Sequence, residues 1–210
     1  ATASAQCVEG NENITQATLV EQYLVNDRLR IMRQTMDEAS SFSRRGSAYT
    51  LGIIPDVFIT SSNWRAILTS LLEATVPEEN PELRDAETRV DAVIASQNIL
   101  CKLNAKCSNS LACEKDIITI SDLKDAAELC LEAFLKGVED YSVDKRGDVG
   151  SWVREASMRA FAEVLRCFQT ISKSTDDSGV VVDEYETKCT TILGVLLKQC
   201  GEKIDRTRTV

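Results

Sequence analysis

Tyr141–Phe161, YSVDKRGDVGSWVREASMRAF, is the stretch that decides how the rest of the chain is read. A charged turn with two glycines, Gly147 and Gly150, gives way to apolar positions at helical spacing, Val153, Ala156 and Ala160. Asp148 stands where a helix N-cap belongs, because its carboxylate can accept from the free N–H groups of a first helical turn. Arg154 follows inside the helix, where it can bond a carboxylate or turn carbonyls of a neighbouring repeat. Together these features describe the second helix of a helical repeat, entered through a tight turn.

Working outward, helical periodicity dominates. Val25, Leu29, Met32 and Met36 step by four, three and four, which predicts a first helix over 15–38. Ser41–Arg45 reads as a break. Ala48, Leu51 and Ile54 form a second helix that Pro55 ends or kinks. Trp64, Ile67, Leu68, Leu71 and Leu72 form a third. Asn80 and Pro81 make a cap and opening for a fourth, striped by Leu83, Val90, Val93, Ile94 and Leu100. After a polar segment, Ser121 and Asp122 open a fifth helix carrying Leu123, Ala127, Cys130, Phe134, Val138 and Tyr141. The sixth starts at Asp148 and is striped by Val153, Ala156, Ala160, Val164, Cys167, Phe168 and Ile171, with Trp152 and Leu165 widening it. The seventh carries Tyr185, Cys189, Ile192, Leu196 and Cys200. Strand-like alternation is absent apart from the short run Val180–Val182.

Basic residues followed by small or apolar rows recur at Arg45, Arg89, Arg154 and Arg208, at separations of 44, 65 and 54 residues. HEAT units run about 40–47 residues, so the longer gaps require inserted loops. The expectation is an all-α, HEAT/armadillo-like α–α superhelix of about seven helices in stacked antiparallel pairs. It covers 14–210, with loops near 104–118 and 172–181. Residues 1–13 read as a disordered or cloning-derived end, and the far end stops within a helical pattern, as a truncated domain would.

Composition supports this and excludes much else. Only 9 Gly and 3 Pro, with 43% hydrophobic and 27% charged residues, suit helix nearly throughout a globular domain. A net charge of −9 argues against nucleic acid and against anionic membrane surfaces. No apolar run approaches the roughly 18 residues of a membrane span. The chain has no histidine, so Ser-His-Asp and Cys-His catalysis are unavailable, and it has no glycine-rich phosphate loop. No catalytic residue, cofactor or metal site is expected. The spacing of Cys101, Cys107 and Cys113 is not a zinc pattern, and Cys130, Cys167, Cys189 and Cys200 fall on apolar faces as small hydrophobes. Reduced thiols are the preferred reading of all eight cysteines.

The motif Arg146-Gly147-Asp148 has an adhesion reading, which a reduced chain disfavours, and an arginine-finger reading. The preferred one is structural, with a glycine turn, an Asp148 cap and Arg154 bonded to a neighbouring repeat. Because inter-helix turns line one edge of a repeat array, Arg146, Asp148, Trp152 and Arg154 are also candidate partner contacts. Lys203, Asp205 and Arg206 are candidates of the same kind near the chain end.

Five strings in one order resemble a known family: Ser43-Arg44-Arg45-Gly46, Leu51-Gly52-Ile53-Ile54-Pro55, Glu87-Thr88-Arg89-Val90-Asp91-Ala92, Arg146-Gly147-Asp148-Val149-Gly150-Ser151-Trp152-Val153-Arg154, and Glu202-Lys203-Ile204-Asp205-Arg206 with Arg208. The resemblance is to the C-terminal domain of the tubulin-folding cofactor D family. It implies a helical-repeat chaperone that takes β-tubulin after the cytosolic chaperonin. It further implies work with cofactors C and E on the α/β-tubulin heterodimer, binding of an Arl-type small GTPase, and a cytoplasmic, cytoskeleton-associated setting. GTPase activation would belong to the assembled cofactors. The alternative is a generic HEAT-repeat scaffold for protein–protein contacts. Trp152 is expected between neighbouring helices, where full burial would make Trp152→Ala cost about 3–5 kcal/mol in denaturant unfolding.

Overall fold

The structure is a computed structural model that describes residues 25–34, 40–78, 85–108, 117–174 and 179–201. Seven α-helices follow one another among them: α1 (Asp27–Met32), α2 (Ser41–Ile53), α3 (Trp64–Glu73), α4 (Ala86–Ser108), α5 (Ile120–Gly137), α6 (Gly150–Ser174) and α7 (Gly179–Cys200). A single 3₁₀ turn, Asp56–Phe58, precedes α3. A two-residue antiparallel hairpin, β1 (Val143–Asp144) and β2 (Gly147–Asp148), joins α5 to α6. Helices α2, α4 and α6 lie side by side in one layer, and α1, α3 and α5 each back onto the next helix of that layer. This is the all-α, HEAT-like stack of helix pairs that the periodicity predicts.

The helix starts follow capping chemistry. The Ser40 hydroxyl accepts from the Ser43 N–H at the head of α2. Asp85 accepts from the Thr88 N–H at the head of α4. Thr119 and Asp122 form a reciprocal capping box for α5, which therefore starts one residue before the expected Ser121. One continuous core runs through the layers, with Leu51, Trp64, Ile67, Leu71, Ile99, Phe134 and Phe161 almost fully buried. Phe134 and Phe161 meet edge to face at 6.4 Å across the α5–α6 pair. Helix α7 docks through Tyr185 stacked on Phe168 at 5.0 Å, and Gln199 Nε2 donates to the Val138 carbonyl.

Several expectations change. Ser41–Arg45 is not a break but the first turn of α2, because Ser40 supplies the cap. The segment 104–108 is the last turn of α4, and 172–174 the last of α6. The valines 180–182 lie in α7, not in an extended run. The described start of α4 is Ala86, while the Asn80-Pro81 opening, Met36, Leu83 and residues 1–13 lie outside the described residues. Cys130 and Cys167 are buried as expected, whereas Cys189 and Cys200 on α7 are exposed. Burial pushes the Cys130 and Cys167 thiols up, which keeps them protonated and inert.

A buried ionic chain crosses the stack. Arg44, Arg89 and Arg154 sit in the opening turns of α2, α4 and α6 and are 6%, 1% and 0% exposed. Arg44 Nη1 donates to Glu78 Oε1 at 3.0 Å, and Glu78 Oε2 lies 3.8 Å from Arg89 Nη1. Arg89 Nη2 pairs with Asp140 Oδ2 at 3.0 Å and donates to Ser142 Oγ at 2.8 Å. Arg154 then reaches the Asp140 carbonyl and Asp148 Oδ2. The first member is Arg44 rather than the expected Arg45. One residue further round α2, Arg45 turns outward and pairs with Asp91 of α4 at 2.9 Å.

Arg89→Ala should destabilise the chain by about 3–5 kcal/mol, because it strands Asp140 in the interior. Arg45→Ala, at a partly exposed pair, should cost no more than about 1 kcal/mol. Urea unfolding of the two variants measures both, and equal losses would refute the distinction.

Candidate protein-interaction surface

The quoted motif builds the edge where α5 turns into α6. Gly147 holds a φ of 106°, the left-handed region that closes the hairpin without a Cβ clash. Gly150 begins α6 where any Cβ would lie 2.3 Å from the Asp140 carbonyl oxygen. Asp148 does two jobs at once. Oδ1 accepts from the Ser151 N–H at 3.0 Å, capping α6, and Oδ2 accepts from Arg154 at 2.7 Å. The Arg154 guanidinium also stacks on the Tyr141 ring, 4.5 Å from its centroid. Arg154 is thus wholly enclosed by its own turn and presents nothing to solvent, while Asp148 is half-buried.

Arg146 is the outward-facing member. Its backbone N–H and Nε donate to Asp144 at 2.6 and 2.8 Å, and its Nη groups bridge to both Glu87 oxygens on α4. The Glu87 bond, then Asp144, raises the Arg146 pKa further above its ordinary value. The Arg146 guanidinium in turn holds the Glu87 and Asp144 carboxyls below their usual range. Arg146 also lies over Trp152, 5.1 Å from the ring. Two carboxylates already occupy this cation, so an arginine finger would first have to break both bonds.

Trp152 sits between α4 and α6 as expected, but only half-buried, with Val90, Ile94, Gln97, Glu155, Ala156 and Arg159 around it. A second shallow groove, between α2 and α4, shares Ile94 and adds Tyr49 and Ile53. Tyr49, Ile53 and Ile94 are 66%, 55% and 45% exposed. They make a broken apolar stripe across the α2–α4–α6 layer that ends at Trp152. The charges beside it are matched within the chain: Arg45 with Asp91, Arg159 with Glu155, and Arg146 with Glu87 and Asp144. The face is therefore apolar with a self-neutralised border.

The sequence reading placed Ile94 in the core stripe beside Val93, and periodicity had no means of showing Glu87 as the partner of Arg146, 59 residues away. Lys203, Asp205 and Arg206 lie outside the described residues. Among those residues no cluster of three or more Cys, Asp or Glu is placed to hold a metal ion. None of their helices is long and apolar enough to cross a membrane.

No protein-family model matches the chain, and no solved structure does. The chain is similar to the tubulin-specific chaperone D of Dictyostelium discoideum, 27% identical over 213 residues. That match takes in 88% of this chain and 14% of the relative, so the chain spans about a seventh of the relative's length. The resemblance carried by the five strings is thereby supported over nearly the whole chain.

Arg146→Ala should lower stability by less than about 1 kcal/mol, since both partners are partly exposed and solvent-screened. The Glu87 pKa is lowered in the folded state, so its share of that stability is present above its ordinary 4.5 and is lost as pH falls through the lowered value. Melting curves of the wild type and Arg146→Ala should converge as pH drops below that range. Trp152→Ala, at a ring that is only partly buried, should cost about 2–3 kcal/mol, below the value for full burial.

Proposed function

We propose that this chain is a tubulin-handling segment of a chaperone, acting by binding rather than by catalysis. The observation that carries the reading is the similarity to a tubulin-specific chaperone along 88% of the chain, on a stack of helix pairs with an apolar stripe left open. The segment serves the assembly and disassembly of the α/β-tubulin heterodimer in the cytoplasm. Its direct partner is β-tubulin, held on the α2–α4–α6 face by Tyr49, Ile53, Ile94 and Trp152. Half-exposed aromatic and aliphatic anchors within a polar border suit a transient protein partner. Tubulin-folding cofactors C and E and an Arl-type small GTPase join in the larger assembly, where any GTPase activation arises. The hairpin edge with Arg146 borders this face and contributes to the same contacts, and Lys203, Asp205 and Arg206 are further partner contacts of the chain.

The test is co-precipitation of the chain with purified tubulin and, separately, with an Arl-type GTPase. Ile94→Glu places a charge on the exposed face without touching the core. It should weaken tubulin capture about tenfold at unchanged melting temperature. Capture of neither partner by the wild type would leave the generic scaffold reading.

A further inference from the structure

The layer that carries α3 and α5 has its own opening, on different elements from the stripe. Towards their C-terminal ends the two helices leave a groove of about 330 Å³ between them. Leu72 and Val76 line it from the α3 side, and Leu129, Ala133 and Gly137 from α5. Val76 is 59% exposed, and Leu129 and Ala133 are only partly buried, although the groove is apolar. Its volume is at the small end of ligand pockets, enough for a few apolar side chains.

The rim has one dominant sign. Glu73, Glu132, Glu139 and Asp140 line the groove against a single cation, Lys136. Both helices end there, α3 at Glu73 and α5 at Gly137, so two sets of C-terminal carbonyls add partial negative charge. Glu73 makes no ion pair among the described residues. Glu132 bonds Lys136 at 2.7 Å and Glu139 bonds Lys198 at 3.0 Å, but each of these pairs is more than half exposed. Such pairs contribute little and exchange readily for another cation. Asp140 is already committed to Arg89 in the buried chain.

We propose that this groove docks a basic amphipathic segment of a partner protein, with apolar side chains in the groove and lysine or arginine on the carboxylate rim. The inference stands apart from tubulin binding, because it uses α3 and α5 and none of the residues of the α2–α4–α6 stripe. An acidic segment would meet the carboxylates of Glu73, Glu132 and Glu139, offset only by Lys136 and Lys198. A purely apolar one would leave the rim charges partly desolvated and unpaired.

The probe is a fluorescein-labelled amphipathic peptide with leucines at i and i+4 spacing and lysines elsewhere. Its control has glutamate at every lysine. Anisotropy titrations against the 210-residue chain should show the lysine peptide binding at least about tenfold tighter than the control. Glu73→Lys with Glu132→Lys should weaken it about tenfold, while the same charge change at remote sites, the partly exposed Asp27→Lys with the exposed Glu186→Lys, should change it less than about twofold. Ala133→Phe, which fills the groove without altering charge, should also weaken binding about tenfold. Val76→Asn, at an exposed position, gives a polar floor without risk to the fold and should act in the same direction. Equal losses from the rim and remote pairs would reduce the effect to net charge and overturn the proposal. So would unchanged binding by the groove variants, or no preference for the lysine peptide.

Discussion

The chain of buried ion pairs from Arg44 through Glu78, Arg89 and Asp140 to Arg154 and Asp148 is the constraint on which the rest depends. Each arginine opens a helix of one layer, and Glu78 and Asp140 come from the chain just after a helix of the other. Every repeat is thereby keyed to the next at the same height. Buried charges of this kind need not add net stability relative to apolar residues, but leaving one without its partner is costly. These pairs close only where Arg44, Arg89 and Arg154 meet Glu78, Asp140 and Asp148, a geometric condition that a smooth apolar face does not impose. The core residues supply the attraction, and the arginines say where it must stop.

That constraint also divides the quoted motif into an inner and an outer half. Asp148 and Arg154 are consumed in holding the hairpin against α6, with Gly150 allowing the Asp140 carbonyl to come close. Arg146 and Trp152 are carried to the edge by the same turn and meet α4 through Glu87, Val90 and Ile94. Asp148 and Arg154 are thus the motif residues least able to touch another protein. Those able to do so are Arg146 and Trp152, together with exposed positions on α2 and α4.

Much of the fold was legible because helical burial repeats along the chain. Trp64, Ile67, Leu68 and Leu71 in α3, and Val153, Ala160, Val164, Cys167 and Ile171 in α6, are buried where a 3.6-residue period puts them. The misreadings share a cause. Ser41–Arg45 looked like a break because its serines and arginines are polar, yet Ser40 caps it and Arg44 is an interior residue with a remote partner. Ile94, Cys189 and Cys200 looked like core because they are apolar, yet no described helix closes over them and all three are exposed. Local pattern reports what a residue prefers, whereas burial depends on which neighbour arrives.

By itself, then, the sequence determined the helical class, the approximate helix order, the capped turn before α6 and the resemblance that five ordered strings carry. Those properties rest on interactions within a few residues, which a linear pattern encodes directly. Only the tertiary structure decided that Arg44 rather than Arg45 joins the buried chain and that Arg146 is held by Glu87. It also decided that Tyr49, Ile53, Ile94 and Trp152 align on one open face. Each of those depends on how far one helix is rotated and shifted against another, and on pairings between residues 34 to 59 positions apart. No local period carries that information, because it resides in the packing of layers and not in any one helix.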